Sequence, residues 1–427
     1  MRNADKSGWI LSGLLSLVLA PAALADTWIV DSAGGPGVDF TDIQPAIEAA
    51  SDGDVIVVAT GNYTRFLLDK PLRIVVETGG NASLQKDFAI IRDIPAGTTA
   101  AVGGLQMQWM QVRDCAGTVS IDRCTIRDAE DHAALRIDDS SLVIVSRTLA
   151  WGRDRGVDGG PGSDPGGWQR GAEFGTATVV VSQSSFEGGA GSPVYKAGGT
   201  DGMAGVYAEN CTLLFQTSDA LGGRGGDGWD PVEFEGDGGD GGPGLWLQDS
   251  ELLLFDNFQN KVRGDWGGVP GFLGNPGAHA NALLAHDSTV SYSDITFQTE
   301  PSTPKIGGSG STITLVSPSV PTLFATMSGE LGDFIGPVLT APVGSQFLLW
   351  YGGLADPTPV PGAVVPLVIA GPFDLVSGTI GPSGTAFLPL SIPAVLSLRG
   401  VPVHFQAYVR PPSGGFQLST SASFVLH

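Results

Sequence analysis

Six short hydrophobic runs recur between about Arg113 and Phe297. In each run an apolar residue is followed two positions later by another, which is the alternation of a β-strand with one buried side. The first apolar residues of the runs are Val119, Leu142, Val179, Leu213, Leu252 and Val290. They stand 23, 37, 34, 39 and 38 residues apart. A strand unit repeated at this period predicts a β-solenoid, in which each unit is one coil and equivalent residues stack in columns.

The unequal intervals predict long loops. The shortest interval fits one bare coil of a parallel β-helix, and the others fit the same coil with a Gly-rich loop of roughly 11 to 16 extra residues. The predicted loops are Trp151–Gly171, Gly188–Ala204, Gly222–Gly244 and Gly264–Asn281. Because their insertion point repeats, we expect them to cluster on one edge, which is often the binding side. Their glycine content predicts little rigid order unless stacking or ions fix them.

A turn position precedes each run by three residues and is rich in Asp and Asn, which tolerate left-handed backbone. Its members are Ala116, Asp139, Thr176, Asn210, Asp249 and Asp287. Near the start of the chain, Ile43, Ala46, Ile47 and Ala50 share one face of a predicted helix with Thr41 as its N-cap. Such an amphipathic helix would cover the open end of the first coil.

The phrase GGPGVDFTDIQPAIEAASDGDVIVVATGNY at Gly34–Tyr63 resembles the start of secreted bacterial right-handed parallel β-helix proteins of the pectin lyase-like superfamily. The resemblance implies a right-handed parallel β-helix, which we place at residues 26–300. It does not imply one activity, because this fold hosts lyases, hydrolases, esterases, adhesins and inactive binders.

The chain changes character after Phe297. Residues 301–311 are polar and predict a linker, and residues 312–427 are Pro-rich, poor in charge and built from short β-branched or aromatic runs. They predict a small antiparallel β-sandwich, so the whole chain is expected to be all-β. Within them, Leu388–Val409 resembles a C-terminal module that recurs in large secreted bacterial proteins.

The charge balance and the N-terminus indicate export. The chain has 22 basic and 44 acidic residues, a net charge of −22, which disfavours nucleic acid and anionic membranes as partners. Residues 1–25 predict a signal peptide, with Arg2 and Lys6 before an apolar core and a small-residue cleavage site ending at Ala25. We therefore expect a secreted or cell-surface protein without a transmembrane segment in its mature chain.

Three cysteines are too few for a disulfide scaffold. Cys115 and Cys124 flank one predicted strand, so an oxidising compartment allows a disulfide between them. The alternative is that Cys115, Cys124 and Cys211 are small buried residues in side-chain stacks.

A row of outward side chains is the first candidate site. The position six residues before each run holds Arg113, Arg136, Glu173, Tyr207, Trp246 and Leu284. In a solenoid these would stand about 4.8 Å apart, coil to coil. Aromatic faces cover the apolar sides of sugar rings and charged groups bind hydroxyls, so the first five predict a groove for a polysaccharide or matrix ligand. The alternative is that Tyr207 and Trp246 pack beneath the Gly-rich loops.

A charged cluster is the candidate for catalysis. Asp128, Asp131, His132, Arg136 and Asp138 include the paired carboxylates and the base that glycoside hydrolysis or elimination needs. The motif sets of β-helix polygalacturonases and pectate lyases are not present together, so a solvated charged turn is the alternative.

A third candidate is a Ca²⁺ site in the Gly-rich loops. GGRGGDGWD at Gly222–Asp230 matches the calcium-binding nonapeptide once, and hard oxygen ligands lie close together in the sequence. The candidate ligands are Asp227, Asp230, Asp237 and Asp240.

These patterns predict a non-catalytic β-helix protein that binds glycan or matrix, or has a structural role at the surface. The alternative is a polysaccharide lyase or glycoside hydrolase that acts in a groove on the β-helix.

Overall fold

A computed structural model describes residues 25–85, 87–129, 132–153, 170–192, 198–228, 236–255, 261–271, 274–316, 320–325, 331–332, 334–392, 394–395 and 398–427. The predicted signal peptide lies outside these residues except for its last position. Asp131 and Asp230 also lie outside them, as does the side chain of Asp128. No helix in the described part of the chain is long and apolar enough to cross a membrane.

The chain winds into a parallel β-helix with three strand faces. Face 1 comprises Phe66–Leu68, Phe88–Arg92, Trp109–Arg113, the first halves of Leu135–Ser146 and Ala172–Ser182, Val206–Glu209, Leu245–Gln248, Leu283–His286 and Ile306–Ser309. Face 2 comprises Thr27–Val30, Val55–Val58, Arg73–Val76, Thr99–Gly103, Thr118–Asp122, the second halves of the same two long strands, Thr212–Gln216, Glu251–Phe255, Thr289–Ser293 and Thr312–Leu315. Face 3 comprises Gly61–Tyr63, Ala82–Leu84, Leu105–Met107, Thr125–Ala129, Leu149–Gly152, Ser185–Glu187, Asp219–Leu221, Lys261–Arg263 and Thr296–Gln298.

The repeated apolar residues form an interior column on face 2, with one correction. Its fully buried members are Val119, Val143, Val179, Leu213, Leu252 and Val290. Val119 therefore pairs with Val143 and not with the predicted Leu142, because the register shifts between Ser140 and Leu142. The shift turns Leu142 to the outside of the β-helix, where it packs against the C-terminal module.

The predicted turn ladder lies between faces 1 and 2. Positive φ angles of 43° to 56° occur at Asp93, Asp114, Asp139, Thr176, Asn210, Asp249 and Asp287. Ala116 was the wrong member for its coil, because Asp114 has the left-handed backbone there. A second ladder between faces 2 and 3 was not predicted, since Arg and Gln do not signal a left-handed turn. Its members are Arg123, Arg147, Gln183, Thr217 and Asp294.

The cysteines belong to stacks that run beside these ladders. All three thiols are free and buried. The amide of Cys211 donates to Ser250 Oγ at 3.1 Å, and the amide of Ser250 donates to Ser288 Oγ at 3.1 Å, one coil further on. Cys115 and Cys124 occupy corresponding positions against Ser140 and Thr148. The stack interpretation is confirmed, and the disulfide between Cys115 and Cys124 does not form.

A short helix, Ile43–Ala49, covers the first coils and buries Ile43, Ala46 and Ile47 in the core of the β-helix. Its N-cap is Asp42 and not the predicted Thr41, since the Asp42 carboxylate accepts the amide of Ile43 at 2.8 Å. The four residues predicted to share one face, Ile43, Ala46, Ile47 and Ala50, are all buried, as expected.

The β-helix extends beyond the residue where we predicted its end. Ile306–Ser309 pairs in parallel with Leu283–His286, and Thr312–Leu315 pairs in parallel with Thr289–Tyr292. The prediction of a linker at 301–311 was therefore wrong for its second half, and residues 312–315 belong to the last coil. A polar and Gly-rich segment can form a strand in the last coil of a solenoid, because no following coil packs on it and fewer apolar side chains are needed.

The C-terminal module begins at Thr322 and is antiparallel, as predicted. One sheet contains Thr322–Ala325, Pro337–Thr340 and Thr385–Phe387, and a strand pair contains Phe334–Ile335 and Leu390–Ser391. The larger sheet contains Leu367–Thr379, Gln346–Thr358, Pro402–Arg410, Gln417–Leu418 and Ala422–Val425. The module lies along face 2, where Val368 and Ile369 join Leu142, Val180 and Leu214 in one apolar cluster.

The described Gly-rich loops stack into a bundle on one edge of the β-helix. Glycine amides three residues apart in one loop donate to carbonyl oxygens three residues apart in the next, and the pairs are Gly222–Arg263, Gly225–Trp266 and Gly228–Val269. A three-residue period without internal hydrogen bonds is that of the polyproline II helix. A Cβ on Gly225 would lie 2.0 Å from the carbonyl oxygen of Gly239. Stacking between coils therefore supplies the order that the glycine content alone does not predict.

Candidate functional site

Face 1 brings together most of the predicted outer row. Arg136, Glu173, Tyr207 and Trp246 lie side by side on four successive coils, followed by Leu284. Arg113 is not in this row.

Gln111 takes the place predicted for Arg113. Gln111 pairs with Arg136, whereas Arg113 pairs with Asp138. Arg113 and Gly175 occupy equivalent positions at the end of face 1. The turn that follows Arg113 has two more residues than the turn that follows Gly175, so counting back six residues from each hydrophobic run does not reach the same position in both coils.

A buried arginine that the sequence did not indicate organises the row. Arg170 is 6% exposed, and its guanidinium lies 4.0 Å from the ring centroid of Tyr207 and 5.7 Å from that of Trp246. Its Nη1 donates to Glu173 Oε2 at 2.8 Å. The two rings meet edge to face at 5.3 Å. These contacts fix the ring orientations. The sequence does not point to Arg170, because it lies at the end of a Gly-rich loop rather than in the repeat.

Two polar groups of the aromatic pair differ in their bonding. The hydroxyl of Tyr207 donates to Glu209 Oε2 at 2.9 Å. Burial, followed by the hydrogen bond and charge of Glu209, raises the pKa of Tyr207 to about 12, so the hydroxyl stays a donor. Trp246 Nε1 is buried and has no hydrogen-bond acceptor among the described residues. Because Trp246 Nε1 is shielded from solvent while the residue is partly exposed, the part of Trp246 that a ligand can reach is the exposed part of its ring.

Of the catalytic candidates, the side chains of His132, Arg136 and Asp138 are described, and two of these three meet. Asp138 accepts from Arg136 Nε at 2.7 Å and from Gln111 Nε2 at 3.1 Å, so it bridges two coils. The hydrogen bond that Arg136 donates to Asp138 raises the pKa of Arg136. His132 instead lies 5.2 Å from the ring of Trp109. The structure thus brings Asp138 and Arg136 together as an ion pair, with His132 in an aromatic contact.

The calcium candidates that are described form hydrogen bonds between layers of the glycine bundle. Carboxylate oxygens of Asp227, Asp237 and Asp240 accept backbone amides in the following loop, at 2.9, 2.6 and 2.7 Å. Asp201 accepts the amide of Asp240 in the same way, at 2.8 Å. Each carboxylate thereby links one layer of the bundle to the next. In the described ranges no three His, Cys, Asp or Glu side chains lie close enough to hold one metal ion.

Face 3 carries a separate polar groove of about 430 Å³ that the sequence did not indicate. Ser83, Gln106, Gln108, Thr125 and Arg127 line it. The guanidinium of Arg127 stacks 3.8 Å above the ring of Trp151 on the next coil.

No protein-family model and no curated protein sequence matches this chain. Among solved structures, it is similar to full-length tailspike protein 2 of Escherichia coli O157:H7 bacteriophage CAB120, with 11% identity and a TM-score of 0.30 over 94% of this chain. The chain spans 64% of the length of that tailspike. The active domain of bacteriophage CBA120 tailspike protein 4 is similar at 12% identity and a TM-score of 0.18, over 88% of this chain and 64% of that one. The strand pairing of the chain itself defines it as a parallel β-helix protein.

Proposed function

We propose that this chain is a secreted or cell-surface glycan-binding protein without catalytic activity, and that its ligand lies along the outer row of face 1. The observation that supports the proposal is the register of four coils, which sets Arg136, Glu173, Tyr207 and Trp246 in one line. A partly exposed row of aromatic and hydrogen-bonding side chains suits an extended chain of sugar rings.

The charges of the row favour a neutral glycan. Arg136 is paired with Asp138, and Arg170 is paired with Glu173, at N–O distances of 2.7 and 2.8 Å. The row therefore offers little uncompensated positive charge to a polyuronate, and the net charge of −22 repels one. Neutral hydroxyls can still bind the paired groups, and a sugar ring can pack on the exposed part of the Trp246 ring.

The ion pair of Asp138 supports a binding role over a catalytic one. A glycosidase needs one protonated and one ionised carboxyl at the bond it cleaves. Asp138 already accepts hydrogen bonds from Arg136 and Gln111, so its carboxylate is engaged in linking two coils. Cleavage of glycans stays the alternative, and the experiment below includes it.

The test uses the chain from Asp26 onward with soluble glucan, mannan and galactan, and with polygalacturonate as the acidic probe. Binding to one or more neutral polymers is expected, and Trp246→Ala should weaken it about tenfold. Trp350→Ala, in the C-terminal module, is the matched control and should leave binding unchanged.

Three results would contradict the proposal. The first is that the chain binds none of the polymers. The second is that Trp246→Ala binds them as strongly as the unaltered chain does. If Arg127→Ala abolishes binding while Trp246→Ala does not, the ligand lies in the face 3 groove. Release of reducing or unsaturated ends, lost in Asp138→Asn, is the third and would establish an enzyme instead.

A further inference from the structure

The last strand of the C-terminal module alternates between two environments. Ala422, Phe424 and Leu426 point into the core of the module. Val425 packs with Val55 and other apolar residues on the outside of face 2, and Ser421 and His427 contact the same face. This period of two is that of a β-strand buried on both sides, so the segment 419–427 joins the module to the β-helix.

Face 2 offers this segment a polar column. Asp122, Ser146, Ser182 and Gln216 lie in register on four successive coils, and each is fully buried. Gln216 Oε1 accepts the amide of Ser421 at 2.6 Å. Three coils away, Asp122 Oδ2 accepts the amide of Val425 at 3.3 Å. The strand therefore crosses the coils, and its backbone depends on side chains of the β-helix.

His427 fills a socket at one end of this column. Its Nε2 lies 3.4 Å from Asp122 Oδ2 and its Nδ1 lies 3.4 Å from the carbonyl oxygen of Val76. A Cβ on Gly103 would come within 2.8 Å of the imidazole, so the glycine makes room for the ring. The charged groups that face the imidazole are Asp122 and Arg123.

The environment of His427 favours its neutral form. Arg147 is paired with Asp122 through Nε at 2.9 Å, so the carboxylate already has a cation. Burial, and then the positive charge of Arg123, lower the pKa of His427, although Asp122 and Val76 oppose the shift.

A second histidine lies on the neighbouring strand Pro402–Arg410, which pairs with Ala422–Val425. His404 is 1% exposed, and its Nδ1 is 2.8 Å from the hydroxyl of Ser423. Burial lowers the pKa of His404 to about 3, and no charged group offsets it. Two neutral imidazoles are therefore enclosed where the module meets the β-helix.

We propose that the segment 419–427 is an acid-sensitive latch, in which protonation of His404 and His427 releases the C-terminal module from face 2. The released segment is exposed to water, so its histidines take up protons at their ordinary pKa. Since the docked pKa values are lower, the released form binds more protons below about pH 6.5. Docking is thus complete above that pH and weakens as the pH falls.

Hydrogen exchange of the full chain tests the latch. The opening equilibrium of the amides of Ser421 and Val425 should rise on the order of tenfold or more per histidine between about pH 7.5 and about pH 5, after correction for intrinsic exchange. The double variant His404→Gln and His427→Gln should lose most of this response. Its control is His279→Gln with His286→Gln, two histidines outside the latch, which should respond as the unaltered chain does.

Equal opening at both pH values overturns the proposal, as does an unchanged pH response in the double variant. If the double variant is already undocked at about pH 7.5, titration of the imidazole C–H signals in the unaltered chain decides the matter. Titration of His404 and His427 at their ordinary pKa, about 6.5, would then overturn the latch, and resistance to protonation supports it.

Discussion

Arg147 and Asp122 form an ion pair between neighbouring coils, with Nε 2.9 Å from Oδ1, and Asp122 is completely shielded from solvent. Burial is the largest influence on the Asp122 carboxyl and opposes its ionisation. The charge and hydrogen bonds of Arg147, together with His427, outweigh burial and hold the pKa of Asp122 well below its usual range. The pair is thus a charged element beneath the C-terminal module, and its integrity decides how that module sits.

Asp122→Asn should destabilise the chain by about 3 to 5 kcal/mol, because it leaves Arg147 largely buried without its anion. Denaturant unfolding measures the change. Asp139→Asn is the control, since it makes the same chemical change at an exposed turn that Asn tolerates, and it should cost less than about 0.5 kcal/mol. Similar effects at both positions would show that the pair contributes nothing.

The stabilising effect of the Asp122 carboxylate should depend on pH in one direction. Its pKa is lower in the folded chain than in the unfolded chain, so the stabilisation is complete above about pH 4 and is lost as the pH falls further. Unfolding free energies of the unaltered chain and Asp122→Asn should therefore converge in strong acid. A difference that persists unchanged at about pH 2 would contradict this assignment.

Gly225→Ala should loosen the glycine bundle, because the new Cβ would lie 2.0 Å from the carbonyl oxygen of Gly239. Overpacking of this kind costs about 1 to 3 kcal/mol. Faster hydrogen exchange of the amides in residues 222–228 is the measurement. Gly353→Ala, where no atom lies within 4 Å of the added Cβ, should leave exchange in the bundle unchanged.

Val143→Ala and Leu142→Ala should have different effects, because the two side chains lie on opposite sides of one strand. Val143 lies inside the β-helix, so its truncation should lower the stability of the β-helix by about 2 kcal/mol. Leu142 lies in the cluster shared with the module, so its truncation should weaken docking first. Proteolysis of the module and unfolding of the β-helix, followed separately, distinguish these outcomes. If Val143→Ala weakened docking and Leu142→Ala destabilised the β-helix, the register shift between Ser140 and Leu142 would be wrong.

Arg170→Ala should release Tyr207 and Trp246 and leave Glu173 without its partner. A loss of about 3 kcal/mol in stability is expected, because Arg170 is buried. A double-mutant cycle with Glu173→Gln should show coupling between the two positions. If binding follows the proposal above, glycan affinity should fall as well, and Arg170→Lys should restore it only in part, since Lys lacks the planar group that stacks on the rings.

The column residues could be predicted because each coil buries the same positions on the coil before it. Val179, Leu213, Leu252 and Val290 follow from spacing alone, and so does the line from Glu173 to Trp246. Leu142 could not be placed correctly, because one extra residue in a strand reverses which side is buried. Arg113 was misplaced for a related reason, since the length of a turn does not show in an alternating pattern.

The all-β fold, the stacked coils and the antiparallel module were determined by the sequence itself, since strand periodicity and turn chemistry act locally. The order of the Gly-rich loops was decided only in the folded chain, because a polyproline II segment has no internal hydrogen bonds and takes its partners from other segments of the bundle. The same holds for Arg170 on Tyr207 and for His427 beside Asp122. These contacts join residues far apart in the chain, and burial from both sides gives them their chemistry.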